Sequence, residues 1–320
     1  MEDNPNRVKK LAQSPVRQLA ISLLLVLIAG SAIFAVFLFA GNLIFGTGEL
    51  VPDIRSVQPS EDTGYMRYLL VAQDLSYFII PSMIFLLLFN PGYKTGIFSF
   101  RTVSRAEIVL VILLALCAFP VILLTGELNA GLKLPHWLSG VEEWIRIREE
   151  DADDILSAIM GTRSVSGMFL NLFLVAVLPA LSEEMLFRGV FQKVLANLFR
   201  SGNAAVWITS FVFSAMHLQF YGFLPRFILG LIFGYIFLWS SNIWLPFTAH
   251  FINNAVPVIG TWLGGLSLTG DSGGAASGPQ IAVAAICLVI LVMVMSVLHS
   301  GRSSNGNDYL ANSQDHEEEQ

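Results

Sequence analysis

Charge is what this 320-residue chain has least of. Only 13% of its residues are Asp, Glu, Lys or Arg, against roughly a quarter in an ordinary soluble domain. With 54% hydrophobic residues gathered into long runs, that shortfall excludes an ordinary water-soluble globular protein. Basic clusters are absent, which excludes nucleic acid as a partner. Cysteine is nearly absent. Cys117 and Cys287 lie in separate apolar runs, and no Cys-x-x-Cys occurs, so a disulfide framework or a thiolate metal site is excluded and both are read as packing residues. There is no His-Glu-x-x-His and no internal repeat. The Gly- and Ser-rich stretch Gly264–Gly278 follows no strand and is read as a loop, not a phosphate cradle.

What is present instead is apolar sequence in stretches of about 20 residues, the length a helix needs to cross a bilayer. Eight are predicted, near 19–45, 66–89, 106–125, 166–190, 204–221, 224–240, 243–263 and 280–299. The fold class is therefore all-α, a polytopic membrane protein with about eight transmembrane helices. The first run is too long for the apolar region of a cleaved signal and is read as a helix that stays in the protein. The fourth is expected to continue to about Phe199, with Pro179 kinking it. Gly230 and Gly234 are spaced for close helix contact, and Gly260 and Gly264 repeat that spacing.

Three parts follow: three helices and a large loop within 1–165, a central part at 166–264, and a Gly-rich loop, last helix and disordered polar tail at 265–320. Basic residues place both termini on the cytoplasmic side. Arg7, Lys9, Lys10 and Arg17 precede the first run, Lys94, Arg101 and Arg105 follow the second, and Lys193 and Arg200 follow the fourth. Glu49, Asp53, Glu61 and Asp62 crowd an opposite loop, and Arg226 dissents. The long loop Gly126–Ser164 carries Trp137, Val141, Trp144, Ile145, Ile155 and Ile159 at helical spacing, so a helix lying on the outer surface is predicted. Its acidic run, Glu149 to Asp154, is read as a solvated face because it lacks the glycine and the spacing of a calcium loop.

The polar residues inside the apolar runs carry the chemistry. Glu183, Glu184 and Arg188 interrupt the fourth run. An ionised side chain at a membrane helix centre costs roughly 2.5–3.5 kcal/mol on insertion scales, so each needs a partner. Glu184 and Arg188 are four apart and share a helix face, whereas Glu183 points about 100° away from them. His217 lies in the fifth run, one turn after Phe213, which is positioned to pack beneath it. His250 and Asn254 share a face of the seventh run. A lone membrane histidine is more often a hydrogen-bonded packing residue than a catalyst. At 1.5 Å per residue, however, the acid and both imidazoles fall at similar depths, on the order of 10–20 Å from the cytoplasmic helix ends.

Such a group supports peptide hydrolysis. A carboxylate withdrawn from bulk water suits a general base, a histidine can orient the same water, and a second histidine with an amide can hold an oxyanion. Glu183, His217 and His250 would alternatively make a three-ligand zinc set with an open fourth position.

Glu-Glu-x-x-x-Arg (Glu183, Glu184, Arg188), Phe-x-x-x-His (Phe213, His217) and His-x-x-x-Asn (His250, Asn254), in that order on membrane helices, resemble the CPBP family. That family holds the type II CAAX prenyl endopeptidases and their bacterial relatives, the Abi proteins. The resemblance covers about Met168–Gly264 and makes 166–264 the catalytic core. It implies an intramembrane endopeptidase in which Glu183 activates water, His217 assists, and His250 with Asn254 forms the oxyanion site. Glu184, Arg188 and Phe213 support that site structurally. Members have been described both as metalloproteases and as metal-independent glutamate proteases; the residues favour no cofactor, with zinc as the alternative. The partners implied are a protein or peptide substrate and the lipid bilayer. The membrane implied is the bacterial plasma membrane. The competing class is a non-catalytic binder, such as a bacteriocin-immunity factor or a transporter, using the same polar pocket.

Overall fold

In lipid every backbone N–H must find its acceptor within its own segment, which leaves helix as the only answer for an isolated apolar run. The computed structural model of the chain describes residues 14–46, 63–89, 102–132, 134–264 and 277–301, and among them the regular structure is entirely helical. The helices are α1 (Pro15–Phe45), α2 (Thr63–Phe89), α3 (Arg105–Ala130), α4 (Ser139–Met160), α5 (Val165–Phe199), α6 (Gly202–Ala215), α7 (Phe223–Ser240), α8 (Trp244–Trp262) and α9 (Gly278–Ser300). The basic arm at 7–10, the acidic 47–62 stretch, the 90–101 loop, Lys133, the Gly-rich loop at 265–276 and the tail from 302 lie outside the described residues.

Six of these helices, α1, α2, α3, α5, α7 and α9, are long and apolar enough to cross a membrane. The other two runs expected to span are α6 and α8. α6 has 14 residues, about 21 Å of helix, and stops at Ala215 rather than near 221. α8 has 19 residues but carries His250, Asn253, Asn254 and an internal Pro257. The two runs that fall short are thus those in which sequence placed the histidines. α3 runs five residues past its predicted end, to Ala130, and a short turn at His136–Leu138 leads into α4. α4 is the helix predicted within the long loop. Trp137, Val141 and Trp144 are exposed, while Ile159 and Met160 are buried.

α5 is the central element. Its Met185, Leu186, Phe187, Val190 and Phe191 pack with Phe85 and Leu86 of α2, Phe213 of α6 and Phe237 of α7. A second cluster joins Val111 and Leu114 of α3, Ile232 and Phe233 of α7, Leu245 and Ala249 of α8, and Leu291 of α9. α7 therefore serves both. Its two glycines are why it lies so close: a Cβ at Gly230 would sit 2.9 Å from Cβ of Ser210, and one at Gly234 2.9 Å from Cγ1 of Val206, both on α6. Gly264 is different. It lies past the end of α8 at φ +77, a left-handed position that suits glycine, so it ends that helix instead of packing it.

Sequence expected a kink at Pro179. The irregularity is a π-helical turn, Leu172–Val177, placed just before Leu178 and Pro179. The wider turn accommodates a residue that has no N–H and whose ring crowds the preceding turn. A second π turn, Phe187–Phe191, includes Arg188, and one in α2 begins at Asp74. Cys117 and Cys287 are free thiols on α3 and α9 and lie within hydrogen-bonding reach of each other.

Candidate active site

Two consecutive residues of α5 differ by about 100° in direction, so Glu183 and Glu184 can reach opposite edges of one ring placed between them. That ring is His250. Its Nδ1 lies 2.9 Å from Glu184 Oε1, and its Nε2 lies 3.7 Å from Glu183 Oε2. The first is a hydrogen bond, with Nδ1–H donating to the carboxylate. The second is too long for a direct bond but close enough for both atoms to address one oxygen between them. Glu183 Oε2 is buried and has no hydrogen-bond partner among the described residues.

Glu184 and Arg188 form the pair their spacing predicts. Glu184 Oε2 lies 3.2 Å from Arg188 Nε, and neither side chain is exposed. A guanidinium out of water needs more than one carboxylate. Arg188 Nη2 donates to the carbonyl of Gly230 at 3.0 Å, and its Cζ lies 5.3 Å from the ring centre of Phe213 and 5.8 Å from that of Phe233. One turn on, Gln192 Nε2 donates to the carbonyl of Gly234 at 3.0 Å. The two glycines that draw α7 against α6 thus also present their carbonyls to α5. Phe233 stacks on His250 with ring centres 4.8 Å apart, which fixes the plane of the imidazole.

His217 is in the turn beyond α6, not on a helix, and it is exposed. Its Nδ1 bonds the carbonyl of Phe213 at 2.8 Å. The Phe213 ring packs against both histidines, at 5.2 Å from His217 and 6.0 Å from His250. Phe213 is thus the common neighbour of the two rings. Asn254 is half-buried on α8, one turn from His250, and its Oδ1 accepts from Asn253 Nδ2 at 3.3 Å. That bond orients the Asn254 amide.

Asp74 was not foreseen. It is buried on α2 and accepts from Ser182 Oγ at 2.6 Å. It interacts electrostatically with Glu183 and with His250, so a third carboxylate faces the site. The signal was available: an acid inside the apolar 66–89 run has the same claim to a partner as Glu183. Arg226, the dissenting charge, is accounted for. Its Nη2 donates to Gln219, and it faces Glu149, Glu183 and Asp153. The acidic run is in consequence not purely solvated, since Glu149 is half-buried and accepts from the N–H of Tyr221, whereas Asp153 stays exposed.

Among the described residues no three or more His, Cys, Asp or Glu side chains gather closely enough to hold a metal ion. Glu183 and His250 approach one another, but His217 does not complete the three-ligand set.

Residues 165–256 match the family model described as type II CAAX prenyl endopeptidase, Rce1-like. The match begins with α5 and ends within α8, so it contains all three motifs and excludes Asp74. The uncharacterized protein YpbD of Bacillus subtilis (strain 168) is 30% identical over 120 residues, 36% of this chain and 57% of that protein. The chain thus spans little more than half the length of the curated relative it matches. No solved structure matches it.

Proposed function

We infer that the chain is an intramembrane endopeptidase of the CAAX-protease kind, on the premise that 165–256 is an Rce1-like segment. One observation carries the reading: His250 bonded to Glu184 on one nitrogen, with Glu183 Oε2 3.7 Å from the other. In this reading Glu183 takes a proton from a water as the water oxygen bonds to the scissile carbonyl carbon. His217 orients that water through Nε2, its Nδ1 being engaged by the Phe213 carbonyl. The carbonyl oxygen becomes an oxyanion, held by Asn254 Nδ2 and by His250 at Nε2. Collapse breaks the C–N bond, and the amine leaves with the proton that Glu183 took up. Glu184 and Arg188 hold His250 in place and do not touch the substrate. The substrate is a protein or peptide reached within or beside the bilayer.

Comparative proteomics of membrane peptides tests this directly. Wild type and Glu183→Gln should accumulate equally as folded protein yet differ in a defined set of cleavage products. Identical peptide sets would leave the pocket to a non-catalytic binder. The metal-independent form has its own check, metal analysis of purified protein with chelator titration of cleavage. Stoichiometric zinc whose removal abolishes cleavage would overturn it.

A further inference from the structure

The loop that carries His217 is held only in part by the segment that carries the motifs. Between the end of α6 and the start of α7, residues 216–222 form no helix, and Leu218 sits at φ 53 with its side chain exposed. A branched residue in the left-handed region is strained and persists only where its surroundings enforce it. Within the segment, the Phe213 carbonyl bonds His217, Ser214 Oγ donates to the carbonyl of Phe223 at 2.6 Å, Arg226 donates to the Gln219 side chain, and the N–H groups of His217, Leu218 and Phe223 donate to the carbonyls of Ser214, Ala215 and Phe220. Further restraints come from two elements outside it.

Asn129, buried in the last turn of α3, closes the far end of the loop. Its Nδ2 donates to the carbonyl of Phe220 at 2.6 Å, and its Oδ1 accepts from the N–H of Leu224 at 3.2 Å. One amide thus does for this turn what a paired backbone would do. From α4, Glu149 Oε1 accepts from the N–H of Tyr221 at 2.9 Å, and Glu142 Oε1 accepts from the Tyr221 hydroxyl at 3.2 Å. Arg146 lies over the Tyr221 ring at 5.9 Å. Three consecutive turns of α4 therefore grip one tyrosine, four residues beyond His217.

We propose that Asn129 and Glu149 are positioning residues that fix the 216–222 loop and thereby the place of His217 in the site. The proposal rests on the reading above in which His217 orients the attacking water. It makes the long loop between α3 and α5 a working part of the enzyme. It also implies that the matched segment alone would hold His217 less firmly than the full chain does.

The test uses the full chain in lipid nanodiscs, with Glu149→Ala, Glu149→Gln and Asn129→Ala, and with the exposed neighbour Glu150→Ala as control. Two readouts need no substrate: amide exchange across 216–224, and the rate at which diethyl pyrocarbonate modifies His217. The third is release of the peptides that separate wild type from Glu183→Gln. Glu149→Ala should speed loop exchange about three- to tenfold, as loss of one hydrogen bond implies, and should change the rate of His217 modification. It should lower peptide release about tenfold or more, since small misplacement of a catalytic group is costly, with folded protein accumulating as in wild type. Glu149→Gln, which keeps the accepting oxygen, should restore all three, and Glu150→Ala should alter none. If Asn129→Ala fails to accumulate, the Glu149 pair decides alone. Unchanged exchange in Glu149→Ala, or faster exchange with unchanged peptide release, overturns the proposal, and so does failure of Gln to rescue. If wild type and Glu183→Gln release the same peptides, the proteolytic reading fails by itself, and the two substrate-free readouts still decide whether Glu149 fixes the loop around His217.

Discussion

At the scale of single residues, the site is organised by one imidazole with a carboxylate facing each nitrogen. The two glutamates differ in what surrounds them. Glu184 is fully buried, bonds His250 through Oε1, and places Oε2 3.2 Å from the Arg188 guanidinium as an ion pair. Glu183 is slightly exposed, at 13%, and its contact with His250 Nε2 is the longer one, at 3.7 Å. A buried charge that loses its partner costs about 3–5 kcal/mol, because the survivor stays desolvated. Glu184→Ala and Arg188→Ala are therefore expected to lower the melting temperature and the yield of folded protein sharply. Glu183→Gln preserves shape and leaves no ion stranded, so its melting temperature should stay close to wild type. Fluorescence-detected size exclusion with a thermal ramp distinguishes the two groups. Equal loss in all three variants would show that the division of labour between the glutamates is wrong.

At the scale of elements, the contact between α4 and the 216–222 loop has a pH dependence of known sign. Burial raises the carboxyl of Glu149 above its ordinary value, against the opposing pull of the Tyr221 amide, Arg226 and Arg146. Partial loss of surrounding water likewise raises Asp153, opposed by Arg226 and assisted by Asp154. A group with a raised folded-state pKa binds its proton more tightly folded than unfolded. The stability it contributes is complete below the unfolded value and is lost as pH rises through the folded one. The docking of α4 should thus be firmer at mildly acidic than at neutral pH. Protonated or not, Glu149 keeps an oxygen for the Tyr221 N–H. Amide exchange of the loop, corrected for its intrinsic rate and followed from about pH 7 to about pH 5, should show rising protection. Glu149→Gln combined with Asp153→Asn should flatten that trend.

At the scale of the whole molecule, α5 is the axis. It packs on α2, α6 and α7 through its apolar face and sends its polar residues to α7 and α8. The outward faces of α1 and α9 are apolar, with Ile28, Val36 and Leu43 on one and Ile286, Val289 and Val292 on the other exposed to the surroundings. Those faces are suited to lipid. The distribution of basic residues predicts both ends of the chain on the cytoplasmic side and α4 on the opposite side. Single-cysteine labelling with a membrane-impermeant maleimide checks this in a variant in which Cys117 and Cys287 are replaced. Label is expected at position 144 in intact cells, and at positions 5 and 310 only after permeabilisation. Labelling of either terminus in intact cells would reverse the orientation or change the number of crossings.

Hydropathy determined the class of this protein, since apolar runs of membrane length leave no structure open to them except helix. Spacing determined the Glu184–Arg188 pair, because four residues is one helical turn. The close approach at Gly230 and Gly234 was legible for the same reason: missing side chains can be counted in the sequence. The tertiary structure alone decided which side chains from different helices meet. Nothing local to residue 250 states that its ring lies between Glu183 and Glu184, and nothing local to residue 74 states that its carboxylate faces the same site. Sequence also ran α6 six residues too far, because Met216, Leu218 and Phe220 are apolar enough to continue a helix. They do not continue it: Asn129 and Glu149, from elsewhere in the chain, supply the hydrogen bonds that a helix would otherwise have provided. A backbone segment adopts whichever conformation satisfies its polar groups, and here the partners that decide lie about 70 to 95 residues away in the chain.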